Sequence, residues 1–200
     1  ALRRAASAIA ELASDSVMVQ DAVERESGIA KLVGLLRMDG GGEEVVQAEA
    51  ANALAVLSGG NKRNQEKVTQ AGGVAPLVAM LHDHSDDTKE AAAAALWALA
   101  ANNHANQTEI ADAGGIAPLV SALGSGSASA EEQAGGALAA LALDHTRNQE
   151  AVASLVVSLL GSDDKHASAK AALAISSFAD ASGSNQRAIA AASGLERLVK

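Results

Sequence analysis

Ser27–Leu36 reads SGIAKLVGLL, Gly72–Leu81 reads GGVAPLVAML and Gly114–Leu123 reads GGIAPLVSAL. Ser193–Val199 (SGLERLV) returns to the same pattern, and Ala153–Leu160 (ASLVVSLL) is a degraded copy that has lost its glycines. A second marker keeps step with the first: Asn64-Gln65, Asn106-Gln107, Asn148-Gln149 and Asn185-Gln186 follow one another at intervals of 42, 42 and 37 residues. A fixed period near 40 means a stack of helical units, each burying its apolar face against the next, and not one closed globular core. Stacks of this kind present long surfaces to other macromolecules and do little chemistry.

Composition agrees. Apolar residues make up 48% of the chain, mostly Ala, Leu, Val and Ile, with Trp97 and Phe178 the only Trp, Phe or Tyr. Alanine favours helix and takes little room, so Ala-rich helices can pack closely. No apolar run approaches the roughly 18 residues of a membrane helix, so direct membrane insertion is not expected, and no signal-peptide pattern follows Ala1. The absence of cysteine excludes disulfides and thiolate metal sites, which fits an intracellular, reducing compartment without fixing the organelle. The net charge of −9 argues against a nucleic-acid partner, which needs a basic stripe. It favours basic proteins or peptides through long-range attraction, although the same charge also serves solubility.

Each unit reads as three helices, short, short and long. In the unit around Asn64, residues 64–71 form the first helix and Gly72-Gly73 ends it, because glycine tolerates the left-handed conformation of a helix terminus. Val74–Leu81 is the second, with Pro76 in the first turn, where its missing N–H costs nothing. The third is expected over residues 88–101, capped by Asp86 or Asp87, with Glu90 completing a capping box. Ser129 with Glu132, and Thr146 with Gln149, are expected to play the same parts in the next units. Gly40–Gly42 and Ser125–Ser127 read as turn material. The fifth unit is five residues short and lacks the Gly-Gly-Ile-Ala-Pro corner, so its first two helices should run together across 151–160 or meet at a tighter corner, with a local change of superhelical pitch. Gly135-Gly136 falls inside a third helix at a cost of roughly 1 kcal/mol per glycine, and tight packing against a neighbouring helix is the expected reason.

The [AS]-G-[IV]-A-P-L-V junction, the short-short-long rhythm and the 42-residue step resemble armadillo repeats over essentially the whole chain. The Asn-Gln marker and ALWALA at Ala95–Ala100 resemble the versions found in many plant and protist proteins. The HEAT repeat, with two helices per unit and no such junction, fits less well. The resemblance implies an all-α, right-handed armadillo-type solenoid of three-helix repeats. The division is a partial unit at 1–14, units at about 16–58, 61–101, 104–143 and 146–180, and a partial unit at 183–200. Because polar caps cover the ends of free-standing solenoids, these partial ends suggest a segment of a longer chain, its terminal faces continued by more repeats or covered by other chains.

The resemblance further implies a binding surface on the concave side of the third helices. There the family places one asparagine per repeat to pair with the backbone of an extended peptide. The matching slot lies eight residues before each Asn-Gln marker and holds Val56, Ala98, Ala140 and Ser177, with Glu11 in the first partial unit. None is asparagine, and alanine and valine offer a peptide backbone nothing. One turn earlier, where import carriers of the family often hold tryptophan, stand Ser7, Asn52, Ala94, Gly136 and Leu173. Trp97 precedes its slot by one residue, about 100° round the helix, and does not match that groove position. These departures argue against carriage of nuclear-import signals and suit a helix or a folded partner surface in a smooth groove. Glu49, Glu90 and Glu132 stand seven or eight residues before the slot in three consecutive units, with Asn52 and Gln133 beside them. This acidic row is the candidate contact for a basic or helical partner, set against the plain benefit of carboxylates at helix N-termini.

No catalytic constellation or cofactor motif appears. The glycine pairs follow helices and not strands, so they are not nucleotide loops, and no serine sits in a nucleophile elbow. His82-Asp83-His84 has poor geometry for a metal, and no metal or cofactor is expected. His104, His145 and His166 read as surface residues at helix junctions. The expected function is therefore a non-catalytic protein–protein scaffold or adaptor. The alternatives are a structural subunit embedded in a large assembly, such as an axonemal or membrane-associated complex, and the substrate-binding arm of a ubiquitin ligase whose catalytic domain lies outside these residues.

Overall fold

The protein is described by a computed structural model covering residues 1–14, 16–38, 43–83, 85–123 and 127–192, the side chain of Ser177 apart. His84, Gly40–Gly42, Ser125 and the Ser193–Val199 copy, all used in the sequence reading, lie outside the described residues. The described residues hold helices only: α1 (Leu2–Ala13), α2 (Val17–Arg25), α3 (Gly28–Leu35), α4 (Glu44–Ser58), α5 (Lys62–Gln70), α6 (Val74–Met80), α7 (Asp86–Ala100), α8 (His104–Asp112), α9 (Ile116–Ala122), α10 (Ala128–Ala142), α11 (Thr146–Leu160), α12 (Lys165–Ala181) and α13 (Gly183–Ala191). Among them no helix is long and apolar enough to cross a membrane.

Local chemistry sets the rhythm. Between α5 and α6, Gly72 takes a left-handed φ of +73°. A Cβ on Gly73 would stand 2.7 Å from Val68 Cγ1 and 3.0 Å from Val68 O. Both halves of the Gly-Gly corner are thus required, the first by backbone conformation and the second by space. The degraded copy has neither glycine, and the chain runs straight through it as the single 15-residue helix α11.

The long helices α1, α4, α7 and α10 pack side by side in that order, and α10 also packs on α12. Their contacts are made by alanines with no exposed surface, among them Ala50, Ala53, Ala92, Ala95, Ala134 and Ala137, backed by Leu54, Leu57, Leu96 and Leu99. Small side chains let the helix axes approach, and the leucines fill the space beneath.

The Asn-Gln marker ties one unit to the next. Each asparagine is buried and its Nδ2 donates to the carbonyl seven residues earlier: Asn64 to Leu57 at 2.8 Å, Asn106 to Leu99 at 3.0 Å, Asn148 to Leu141 at 2.9 Å and Asn185 to Phe178 at 2.9 Å. Each acceptor sits near the end of a long helix, where carbonyls lack helical partners. These bonds cross to the preceding unit, while the glutamines reach the long helix that closes their own unit. Gln65 Nε2 donates to Ala98 O at 2.8 Å and Gln107 Nε2 to Ala140 O at 2.9 Å, while Gln20 reaches Val56 O at 3.5 Å. Gln149 finds Ser184 Oγ at 3.0 Å instead, in keeping with the shortened fifth unit.

The expected helix caps are corrected. Ser85, in extended conformation, caps α7 by accepting from Thr88 N, so Asp86 and Asp87 fall in the first turn and Glu90 is too far along for a capping box. Ser127, not Ser129, caps α10 by accepting from Ala130 N. His145, not Thr146, caps α11 through Nδ1, which accepts from Asn148 N at 3.4 Å. In each case the helix starts one or two residues earlier than read, because several good capping residues stand in a row and only extended backbone selects among them. His145 is accordingly half-buried and not a plain surface residue.

That substitution leaves a gap in the ladder. Asn61 and Asn103, the caps of α5 and α8, donate through Nδ2 to Gln20 Oε1 and Gln65 Oε1, each at 3.0 Å. His145 stands at the equivalent place. Its Nε2 meets Thr108 Oγ1 at 3.0 Å, and the buried Gln107 Oε1 is left without a donor. His145→Asn supplies that donor and keeps a capping oxygen, and Thr108 keeps its bond to His104 O. The variant is expected to gain about 1 kcal/mol in urea unfolding; unchanged or lower stability would mean that the amide ladder is not what the asparagines contribute.

Candidate protein-binding groove

The stripe of α4 that carries Val45, Glu49, Asn52 and Val56 faces the same side as the stripe of α7 that carries Asp87, Glu90, Ala94 and Ala98, since residues three and four apart share a helix face. Two hollows lie along this surface. The first, near the N-terminal ends of α4 and α7, has a volume of roughly 260 Å³ and is lined by Glu44, Glu49, Asn52, Asp87 and Glu90 together with Arg3, Val45 and Ser85. Four carboxylates there face one guanidinium. Arg3 Nε pairs with Glu49 Oε1 at 3.3 Å, with the arginine side chain 63% exposed, so the bond is weak and open to competition.

The second hollow lies further along the same helices and measures roughly 380 Å³. Its walls are Ala55, Val56, Ala94, Ala98, Ala101 and Trp97, with Gln133 from α10 as the one polar side chain. Trp97 is 39% exposed, and its indole N–H has no acceptor among the described residues. One side of the ring lies against α10: a Cβ on Gly136 would stand 2.7 Å from Trp97 Cδ2 and Cε3. Gly135 beside it is buried. Close packing is thus the reason for glycine in mid-helix.

Of the expected contact residues, Glu49, Asn52 and Glu90 meet in the first hollow, and Val56, Ala94, Ala98 and Gln133 in the second. Glu132 is exposed and lines neither, and Ala140 is only 8% exposed. Ser177 belongs to α12, with its side chain outside the described residues. Glu90 and Glu132 share the eight-residue spacing to their slots, yet only Glu90 lines the first hollow, because that hollow lies between α4 and α7 and Glu132 stands on α10. Trp97, which does not match the family's tryptophan position, lines the second hollow. The side-chain stripe exceeds 100° in width, and Gly136, one turn before the place equivalent to Trp97 in the next unit, was the signal that a large ring had to be seated there.

Gly136→Ala is expected to push the ring from its seat and shift the emission of the chain's one tryptophan to longer wavelength. Helix content should hold, because alanine gains about 1 kcal/mol of intrinsic propensity. Unchanged emission would show that the glycine does not seat the ring.

The family model for the Armadillo/beta-catenin-like repeat matches residues 61–101, the span of α5, α6 and α7. No curated protein matches the chain. Among solved structures, the chain is similar to an engineered protein at 32% identity, over 98% of this chain and 80% of that one, with a TM-score of 0.77. It is similar to computationally designed armadillo repeat proteins for modular peptide recognition at 27% identity, over 98% of this chain and 84% of that one, with a TM-score of 0.72. A designed armadillo repeat protein in complex with the peptide (KR)4 is 26% identical, over 98% of this chain and 82% of that one, with a TM-score of 0.69.

Proposed function

The chain belongs to the armadillo-repeat family, and from that premise we propose that it is a non-catalytic protein-binding scaffold whose partner docks on the third-helix surface of α4, α7 and α10. The observation that carries the proposal is the pairing of an acidic hollow with an apolar one on the same two helices. Four carboxylates against one arginine favour a basic partner. A half-exposed tryptophan in an apolar hollow is the kind of residue on which binding energy concentrates. The designed relative holding the peptide (KR)4 supports the basic character of the partner. Ten residues are proposed to take part directly or at the margins: Glu49, Asn52, Val56, Glu90, Ala94, Ala98, Glu132, Gln133, Ala140 and Ser177, and Trp97 now joins them. The unit boundaries of the sequence reading are proposed along with the surface.

A second reading, a subunit held inside a larger assembly, draws on Leu12, Val17 and Met18. They are exposed by 66%, 66% and 78% at the junction of α1 and α2, a cost in water that a covering chain would remove.

Capture from lysate separates the two. A partner held by the wild-type chain should be lost from both Trp97→Ala and the Glu49→Lys/Glu90→Lys pair. Partners unchanged in both variants would reject the third-helix surface and leave the α1–α2 junction as the contact.

A further inference from the structure

We infer that the occupant of the α4–α7 surface is a helix laid lengthwise along these two helices, with a basic side chain in the acidic hollow and a large apolar one two turns on in the Trp97 hollow. The inference rests on the groove reading above and gives its partner a shape.

The two hollows are displaced along the helices and not across them. The acidic hollow draws on Glu49 and Glu90, the apolar one on Val56 and Ala98. Those residues are seven and eight positions apart on the same helices, a rise of about 10 to 12 Å. The two subsites therefore succeed one another along α4 and α7, not across them from unit to unit. An extended strand crossing the long helices would meet one hollow and miss the other. A helix lying along them presents residues i and i+7 on one face at a rise of about 10 Å, which matches the displacement.

Hydrogen bonding points the same way. An extended segment carries an N–H and a C=O at every residue, and each must find a partner when water leaves. The slot residues Val56, Ala98 and Ala140 have no side-chain donor or acceptor, and Gln133 is the one amide in the apolar hollow. A helix arrives with its backbone already paired, so alanine walls suit it. Charge sets the direction of the visiting helix. Glu44, Glu49, Asp87 and Glu90 surround the first hollow, and only the exposed Arg3 opposes them, which sets arginine or lysine at that end of the visiting helix.

Synthetic peptides test this directly on the 200-residue chain. The probe is a labelled, alanine-rich helical peptide with arginine at i and leucine at i+7. One control is its isomer with leucine at i+5, which puts the two side chains on different faces, and the other is the octapeptide (KR)4. By fluorescence anisotropy the i+7 peptide should bind about tenfold tighter than the isomer. Trp97→Ala and the Glu49→Lys/Glu90→Lys pair should each weaken it about tenfold. Equal binding of the two isomers, or no binding of either, overturns the inference. So does binding of (KR)4 alone that weakens in the Glu→Lys pair but not in Trp97→Ala; that result would leave the groove reading intact with an extended occupant. The groove reading itself falls only if captured partners are unchanged in the variants.

Discussion

Everything in this array depends on satisfying the carbonyls at the C-terminal ends of its long helices. The chain leaves α4, α7 and α10 in extended conformation at Gly59, Ala101 and Leu143 and turns through left-handed Gly60, Asn102 and Asp144. That corner leads directly into the next short helix and leaves carbonyls of the last turn unpaired and buried. An unpaired buried carbonyl costs about as much as a lost hydrogen bond. The asparagine pairs a carbonyl on the long helix of the preceding unit, and the glutamine pairs one on the long helix of its own. Because the first bond crosses the joint, it couples the stability of neighbouring units. Solenoid stability is the sum of unit and interface terms, and here the interface term has an identifiable polar part.

The same constraint explains how much of the fold was legible. Buried amides tolerate few replacements, since any other side chain would leave carbonyls orphaned, and so Asn-Gln stood out at a fixed interval. The glycine corner was legible for an equally strict reason: Gly72 needs a positive φ, and Gly73 has no room for a Cβ. Helix starts were less legible. Around α7 the sequence offers Ser85, Asp86 and Asp87 in succession, all competent caps, and the choice falls to Ser85 by backbone conformation that side-chain identity alone does not reveal. His145 was harder still, since histidine is an uncommon cap. Its role follows from equivalence to Asn61 and Asn103, which becomes visible once the bonds of those two are known.

The groove was legible only in part, because a position that touches solvent is constrained by partners absent from the chain itself. Counting from the marker places Val56, Ala98 and Ala140 on α4, α7 and α10, but it treats the candidate groove as a single line of residues. In space it is a valley between helices, wide enough to include a neighbour 100° away. Trp97 lines its second hollow for that reason, and Glu132 lines neither hollow, since it stands on α10 beyond the α4–α7 pair that forms the first.

The irregular positions gather on this surface and not beneath it. The buried layer repeats alanine and leucine from α4 to α10 with little variation. Above it, Gly136 interrupts a helix to seat an aromatic ring. Carboxylates collect at the start of α4 and α7, and the slots of α4, α7 and α10 carry no hydrogen-bonding side chain. A scaffold evolved for packing alone would place alanine at Gly136 and gain helix propensity. Keeping glycine sacrifices about 1 kcal/mol to hold one exposed indole in one orientation. Part of the return is burial of one face of the ring against α10; the rest of the ring is open to solvent, and its N–H has no acceptor among the described residues. That open part is what a partner on the proposed surface would cover. Trp97 and Gly136 together therefore favour the proposed recognition more than the acidic residues do, since helix N-termini would favour carboxylates in any case.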